Sequence, residues 1–164
     1  MRVRNLLNLF KKANRLLFLI ATLCAGFILV ALYLQIVKLE LPCTLCVLQR
    51  YMFIVIGGVS LFGAFSKKIR LCSILGSIAS LVGIYLSAYQ LWVIAHPSIQ
   101  CGKDALEDIV NNLWPAKIIP ILFQAESFCS DVPEAFLFFN PPQWALIWFV
   151  IFTVFLFKLA YQGT

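Results

Sequence analysis

The stretch PCTLCVLQRYMFIVIGGVSLFGAFSKKIR, residues 42–70, decides the fold. Its centre, 45–65, is apolar except for a few polar residues and a single charge, Arg50. That length matches the roughly 20 residues a helix needs to cross the hydrocarbon core of a bilayer. Lipid offers no partner to free backbone groups, so such a segment must be helical. A C-x-x-C pair, Cys43 and Cys46, stands at one end, and Lys67, Lys68 and Arg70 stand at the other.

Three further stretches reach spanning length: 16–37, 71–95 and 143–161. The last contains Lys158 near its end, where a lysine can snorkel to the headgroups. The 164 residues are 62% hydrophobic and 12% charged, with a mean hydropathy of +0.94. A soluble domain would carry about twice that charged fraction. These features predict an all-α membrane protein: a four transmembrane helix bundle forming one domain over residues 1–164. The basic segment 1–15 resembles the start of a signal peptide. The apolar run behind it is longer than the roughly 7–15 residues of such a signal and has no small-x-small cleavage site, so it reads as a retained helix.

Charge sets the expected orientation. Arg2, Arg4, Lys11, Lys12 and Arg15 precede the first span, Lys67, Lys68 and Arg70 link the second to the third, and Lys158 ends the fourth. These are nine of the 13 basic residues. The positive-inside rule makes that side cytoplasmic, with both termini there. All seven acids (Glu40, Asp104, Glu107, Asp108, Glu126, Asp131 and Glu134) fall on the opposite side. The net charge of +6 is thus explained by membrane orientation, and no nucleic acid partner is expected.

The outer side then holds a short loop, 38–44, and a long one, 96–142. Asp104 can cap a helix with Glu107 three places on, as in a capping box. Leu106, Ile109, Val110, Leu113 and Trp114 recur at helical spacing, with Glu107, Asp108, Asn111 and Asn112 opposite. Pro115 is expected to end this short helix. The following 117–123 is again apolar, interrupted by Pro120. So apolar a loop is expected to lie on the bilayer surface, with a small packed subdomain as the alternative. His96 reads as an interfacial polar residue, and Trp92, Trp144 and Trp148 as interface anchors and bundle packing.

Cys43, Cys46, Cys101 and Cys129 all fall on the outer side, which in a bacterium is the periplasm, where disulfides form and persist. Cys24 and Cys72 lie within or at the inner edge of spans and read as small buried apolar residues. Electron pairs can pass between two disulfides when a thiolate attacks one sulfur as another bond opens. A Cys101–Cys129 bond would close a large loop able to meet a soluble protein. Cys43 and Cys46 stand at a helix N-terminus, where the dipole favours thiolate. Two structural disulfides, or a four-thiolate zinc site, could use the same residues. Zinc is disfavoured because only one pair has C-x-x-C spacing and the compartment is oxidising. Arg50 discriminates: on a helix it stacks at i+4 below Cys46, with Gln49 at i+3. A charge inside a span is expensive and marks function. A quinone head group would suit it, being membrane-soluble and polar at its carbonyls.

The chain resembles the DsbB disulfide-bond-formation proteins, inner-membrane quinone reductases that reoxidise the periplasmic thiol oxidase DsbA. The resemblance rests on Cys43-Thr44-Leu45-Cys46-Val47-Leu48-Gln49-Arg50, on Gln90-Leu91-Trp92 before Pro97, on Cys101-Gly102, on Cys129 and on Pro142-Gln143-Trp144. It implies two redox disulfides, Cys43–Cys46 and Cys101–Cys129. It further implies that a DsbA-like partner attacks through Cys101, that Cys129 passes the electrons to Cys43, and that Cys46 faces a ubiquinone or menaquinone held by Arg50. Gln49 and Gln90 are the further expected quinone contacts, and the bacterial inner membrane is the expected location. Gln90 stands where relatives often have a histidine, Phe138 where a glycine is frequent, and Glu134 where an aromatic is common. Alternative functions are a family variant dedicated to one DsbA-like partner, and a non-catalytic cysteine-rich membrane protein.

Overall fold

The computed structural model describes residues 2–66, 68–96, 106–127 and 138–162, with side chains from Lys12 onward. Cys101, Cys129, Asp104, Lys67 and Glu134 lie outside the described residues, so the expectations placed on them are not addressed by the structure. Among the described residues there are seven helices and no strand. They are α1 (Arg2–Val37), α2 (Thr44–Phe65), α3 (Ile69–Ala95), α4 (Leu106–Asn112), α5 (Trp114–Ile118), α6 (Pro120–Phe123) and α7 (Pro141–Gln162). Four of these, α1, α2, α3 and α7, are long and apolar enough to cross a membrane. The all-α, four-span membrane architecture expected from the sequence is therefore present.

The spans pack in a sequence of seams, α1 on α2, α2 on α3 and α3 on α7. Lipid is as apolar as leucine, so helices in a membrane associate largely through close van der Waals contact between small residues. α3 supplies them: Ser73, Gly76, Ser77, Ala79, Ser80, Gly83 and Ser87 are all buried. A Cβ added at Gly83 would lie 2.6 Å from the ring of Phe149, and one at Gly76 would lie 2.9 Å from Leu156. Phe149 is itself fully buried and stacks on Phe53 of α2, ring centroids 4.3 Å apart. Phe27 of α1 stacks on the other side of this group at 5.3 Å from Phe53 and meets Trp148 of α7 at 5.1 Å. The core is thus a column of aromatic rings closed on one side by the bare α3 backbone.

The outer segments differ from expectation in one respect. Pro115 does not end the first short helix. α4 stops at Asn112, Leu113 takes extended geometry, and Pro115 lies in the first turn of α5. Pro120 likewise opens α6. Proline lacks an N–H and is tolerated where helical N–H groups have no partner anyway, so each proline starts a helix rather than stopping one. The three helices form a cap whose inner face, Val110, Ala116, Phe123 and Ala125, packs on Val47, Leu48 and Tyr51 of α2. The rings of Tyr51 and Phe123 stack at 4.6 Å. Ile109, Trp114, Ile118 and Ile121 stay exposed on the opposite side, leaving an apolar face suited to lipid. The packing on α2 makes this segment a packed subdomain, the alternative weighed from the sequence.

Two turns are made without glycine. Leu39 takes φ of 57° just past α1, and Phe138 takes φ of 75° before α7. Phe138 stands where the resemblance led us to expect glycine, and the left-handed backbone explains that preference, since a Cβ is strained there.

Gly83→Ala should destabilise the bundle by about 1–3 kcal/mol, because the added methyl cannot be fitted beside an immobile ring. A thermal unfolding curve of the detergent-held protein checks this; an unchanged midpoint would mean that the α3–α7 seam can open freely.

Candidate active site

α2 begins at Thr44, and Cys43 is its N-cap. Cys43 has φ of −81° and ψ of 169°, and its Sγ accepts the Cys46 N–H at 3.4 Å. Pro42 before it suits that extended geometry. The cap brings Cys43 Sγ to 3.1 Å from Cys46 Sγ, within hydrogen-bond contact. The sulfurs are then about 1 Å beyond the length of a disulfide bond. Cys43 is buried, while Cys46 is half-buried and faces a cavity.

That cavity has a volume of about 320 Å³. It lies at the cysteine end of the bundle, lined by α1, α2, α7 and residues 40–42. Phe27, Leu34, Phe53, Trp144 and Trp148 give it aromatic and aliphatic walls, and Glu40, Cys46, Gln49 and Arg50 are its polar lining. Ligand sites are typically apolar, about 300–1,000 Å³, with a few placed polar groups. The tryptophans Trp144 and Trp148 are therefore cavity walls as well as packing, whereas Trp92 stacks between Tyr89 and His96 on the exposed side of α3. His96 contacts the Trp92 carbonyl at 2.9 Å and is the C-cap of that helix.

Arg50 is only 7% exposed. Its Nη1 donates to Gln35 Oε1 of α1 at 2.8 Å and to the Leu122 carbonyl of the cap at 3.1 Å. Both bonds are made by one nitrogen of the guanidinium, to partners within the protein. Gln35 was missed by sequence reasoning, although a glutamine in an otherwise apolar span was its signal.

Gln90 of α3 is buried and reaches the sulfurs. Its Nε2 donates to Cys46 Sγ at 3.1 Å and to Cys43 Sγ at 3.3 Å. Its Oε1 accepts from Gln49 Nε2 at 2.7 Å. Gln49 lines the cavity and Gln90 stands behind it on the sulfur side.

The long loop returns to this site. The Glu126 N–H donates to the Pro42 carbonyl at 3.0 Å, and Ser127 forms a parallel bridge with Cys43. Asn111 holds the segment in place: its side chain accepts the Ala125 N–H at 2.8 Å and donates to the Ala125 carbonyl at 3.0 Å. An amide can imitate a strand partner in this way because it offers one donor and one acceptor side by side. In sequence Asn111 was only a polar position on an amphipathic helix.

The model for the family described as "Disulfide bond formation protein DsbB" matches residues 13–159. The chain belongs to that family. A disulfide bond formation protein B of Herminiimonas arsenicoxydans is 37% identical over 154 residues, covering 93% of this chain and 98% of the relative. Its namesake in Cupriavidus necator is 40% identical over 137 residues, covering 83% and 85% respectively. Membership makes this multi-pass membrane protein a disulfide-forming oxidoreductase. The C-x-x-C pair at the mouth of α2 is well built for such chemistry.

Asn111→Ala should leave the Ala125 N–H without its partner and loosen the cap by about 1–3 kcal/mol. Hydrogen exchange at Ala125 and Glu126 should accelerate while the amides of α3 are unaffected; equal exchange in both proteins would show that the cap is held by apolar packing alone.

Proposed function

We propose that the protein reoxidises a periplasmic DsbA-like dithiol oxidase and delivers the electrons to a membrane quinone, working in the bacterial inner membrane with both termini cytoplasmic. The observation that supports this most is the cavity itself: an apolar slot of about 320 Å³ that has a redox sulfur, an amide and a guanidinium on one side. A flat ring with carbonyl oxygens fits it. Aromatic walls suit the ring, and Arg50 and Gln49 supply donors for an oxygen. A quinone held by Arg50 and Gln49 would supply the sink for two electrons and two protons.

The chain's own residues account for the rest. The partner's thiolate attacks the Cys101–Cys129 disulfide at Cys101, and Cys129 is released. The Cys129 thiolate then attacks Cys43, a Cys43–Cys129 bond forms, and Cys46 leaves as the thiolate beside the cavity. The partner's second thiolate displaces Cys101, whose thiolate re-forms the bond to Cys129 and frees Cys43, and Cys43 and Cys46 rejoin as their two electrons pass to the acceptor. Ser127, bridged to Cys43, precedes Cys129 by two residues of chain, which span at most ~7 Å. That tether supports the second step. The helix N-terminus at Cys46 and the charge of Arg50 both favour the thiolate. The distribution of the 13 basic residues supports the orientation.

Anaerobic mixing of the protein with a reduced DsbA-like dithiol, followed by quinone absorbance, tests the proposal. Cys43→Ser and Cys46→Ser should each abolish turnover, and retained quinone reduction in either ends this reading. Arg50→Ala should raise the apparent KM for quinone about tenfold or more, the loss expected for one charge-assisted hydrogen bond. An unchanged KM would remove Arg50 from the quinone site.

A further inference from the structure

The Gln90 Nε2 stands against both sulfurs of the pair, donating to Cys46 Sγ at 3.1 Å and to Cys43 Sγ at 3.3 Å. Its carbonyl oxygen is taken by Gln49 at 2.7 Å, which fixes the direction of the amide. Turned over, it would set its carbonyl oxygen against two sulfurs and its NH2 against the NH2 of Gln49. Both residues are buried, which makes an unpaired amide group there costly. A donor chain therefore runs from the cavity wall through Gln49 and Gln90 to the sulfurs.

We propose that Gln90 is a catalytic residue, a fixed hydrogen-bond donor that receives the Cys46 sulfur as it leaves the Cys43–Cys46 bond and holds it as the thiolate. When an incoming thiolate attacks Cys43 Sγ, a bond forms to Cys43 and the Cys43–Cys46 bond breaks. Cys46 Sγ departs with the electron pair, and the Gln90 N–H stabilises that charge without giving up its proton. The amide is neutral in every state, so the pair gains a donor that does not itself titrate. This assignment rests on the thiol-exchange reading above but not on the identity of the electron acceptor.

The test measures Cys46 directly. The full-length protein in detergent, reduced and free of any quinone, is alkylated across a pH series, and modification at Cys46 is located by tandem mass spectrometry. Gln90→Met keeps length and bulk but removes both N–H groups. It should move the midpoint for Cys46 alkylation up by about one pH unit and slow the reaction at neutral pH about tenfold. Gln90→His restores one donor, so it should recover part of the rate and add a second titration step near ~6.5. An unmoved midpoint in a folded Gln90→Met protein overturns the proposal. Should that variant fail to fold, Gln49→Met decides instead: releasing the Gln90 carbonyl should shift the midpoint upward by a smaller amount, and no shift overturns the assignment. Because no quinone is present, a failure of the quinone reading would appear as absent turnover with this profile intact.

Discussion

The cysteine end of the bundle is organised around one buried charge. Arg50 sits one turn inside a membrane span, where an unsatisfied guanidinium would be prohibitive. Two separate parts of the chain meet it, Gln35 from α1 and the Leu122 carbonyl from the cap. Leu122 in particular belongs to a loop that the sequence places far from α2, and its carbonyl is drawn down to the mouth of the span.

The cap follows from the same convergence. Once the loop is tied at Leu122, Phe123 stacks on Tyr51, and Asn111 braces Ala125 as a strand partner would. The next residues then run beside Pro42 and Cys43. A helical membrane protein thereby acquires a fragment of β pairing at the place where its two outer loops must meet. Backbone pairing suits that task because it fixes register as well as proximity.

Much of this was legible in the sequence. The four spans are long apolar runs bounded by charge, and a bilayer allows them only one backbone conformation. The cysteine pair, Arg50 and Gln49 share one face because local helical geometry puts them there. Gln90 was visible as a polar residue near the outer end of α3, but sequence placed it toward the quinone. Its contact with the sulfurs depends on how α3 lies against α2, which no local pattern encodes. Asn111 was hidden for a similar reason, since its partner lies 14 positions away in an irregular segment. Pro115 was misread because a proline both stops a preceding helix and suits the first turn of the next one. Which role it takes depends on where the chain already turned, and here that is Leu113.

The shared hydrogen bonding of Arg50 also makes the protein's two compartments thermodynamically interdependent. The guanidinium lines the cavity and at the same time holds the Leu122 carbonyl of the cap. An occupant that draws the guanidinium toward itself alters how firmly the loop is held. A soluble protein that tugs the loop alters the affinity of the slot by the same factor, since linkage between binding free energies is reciprocal.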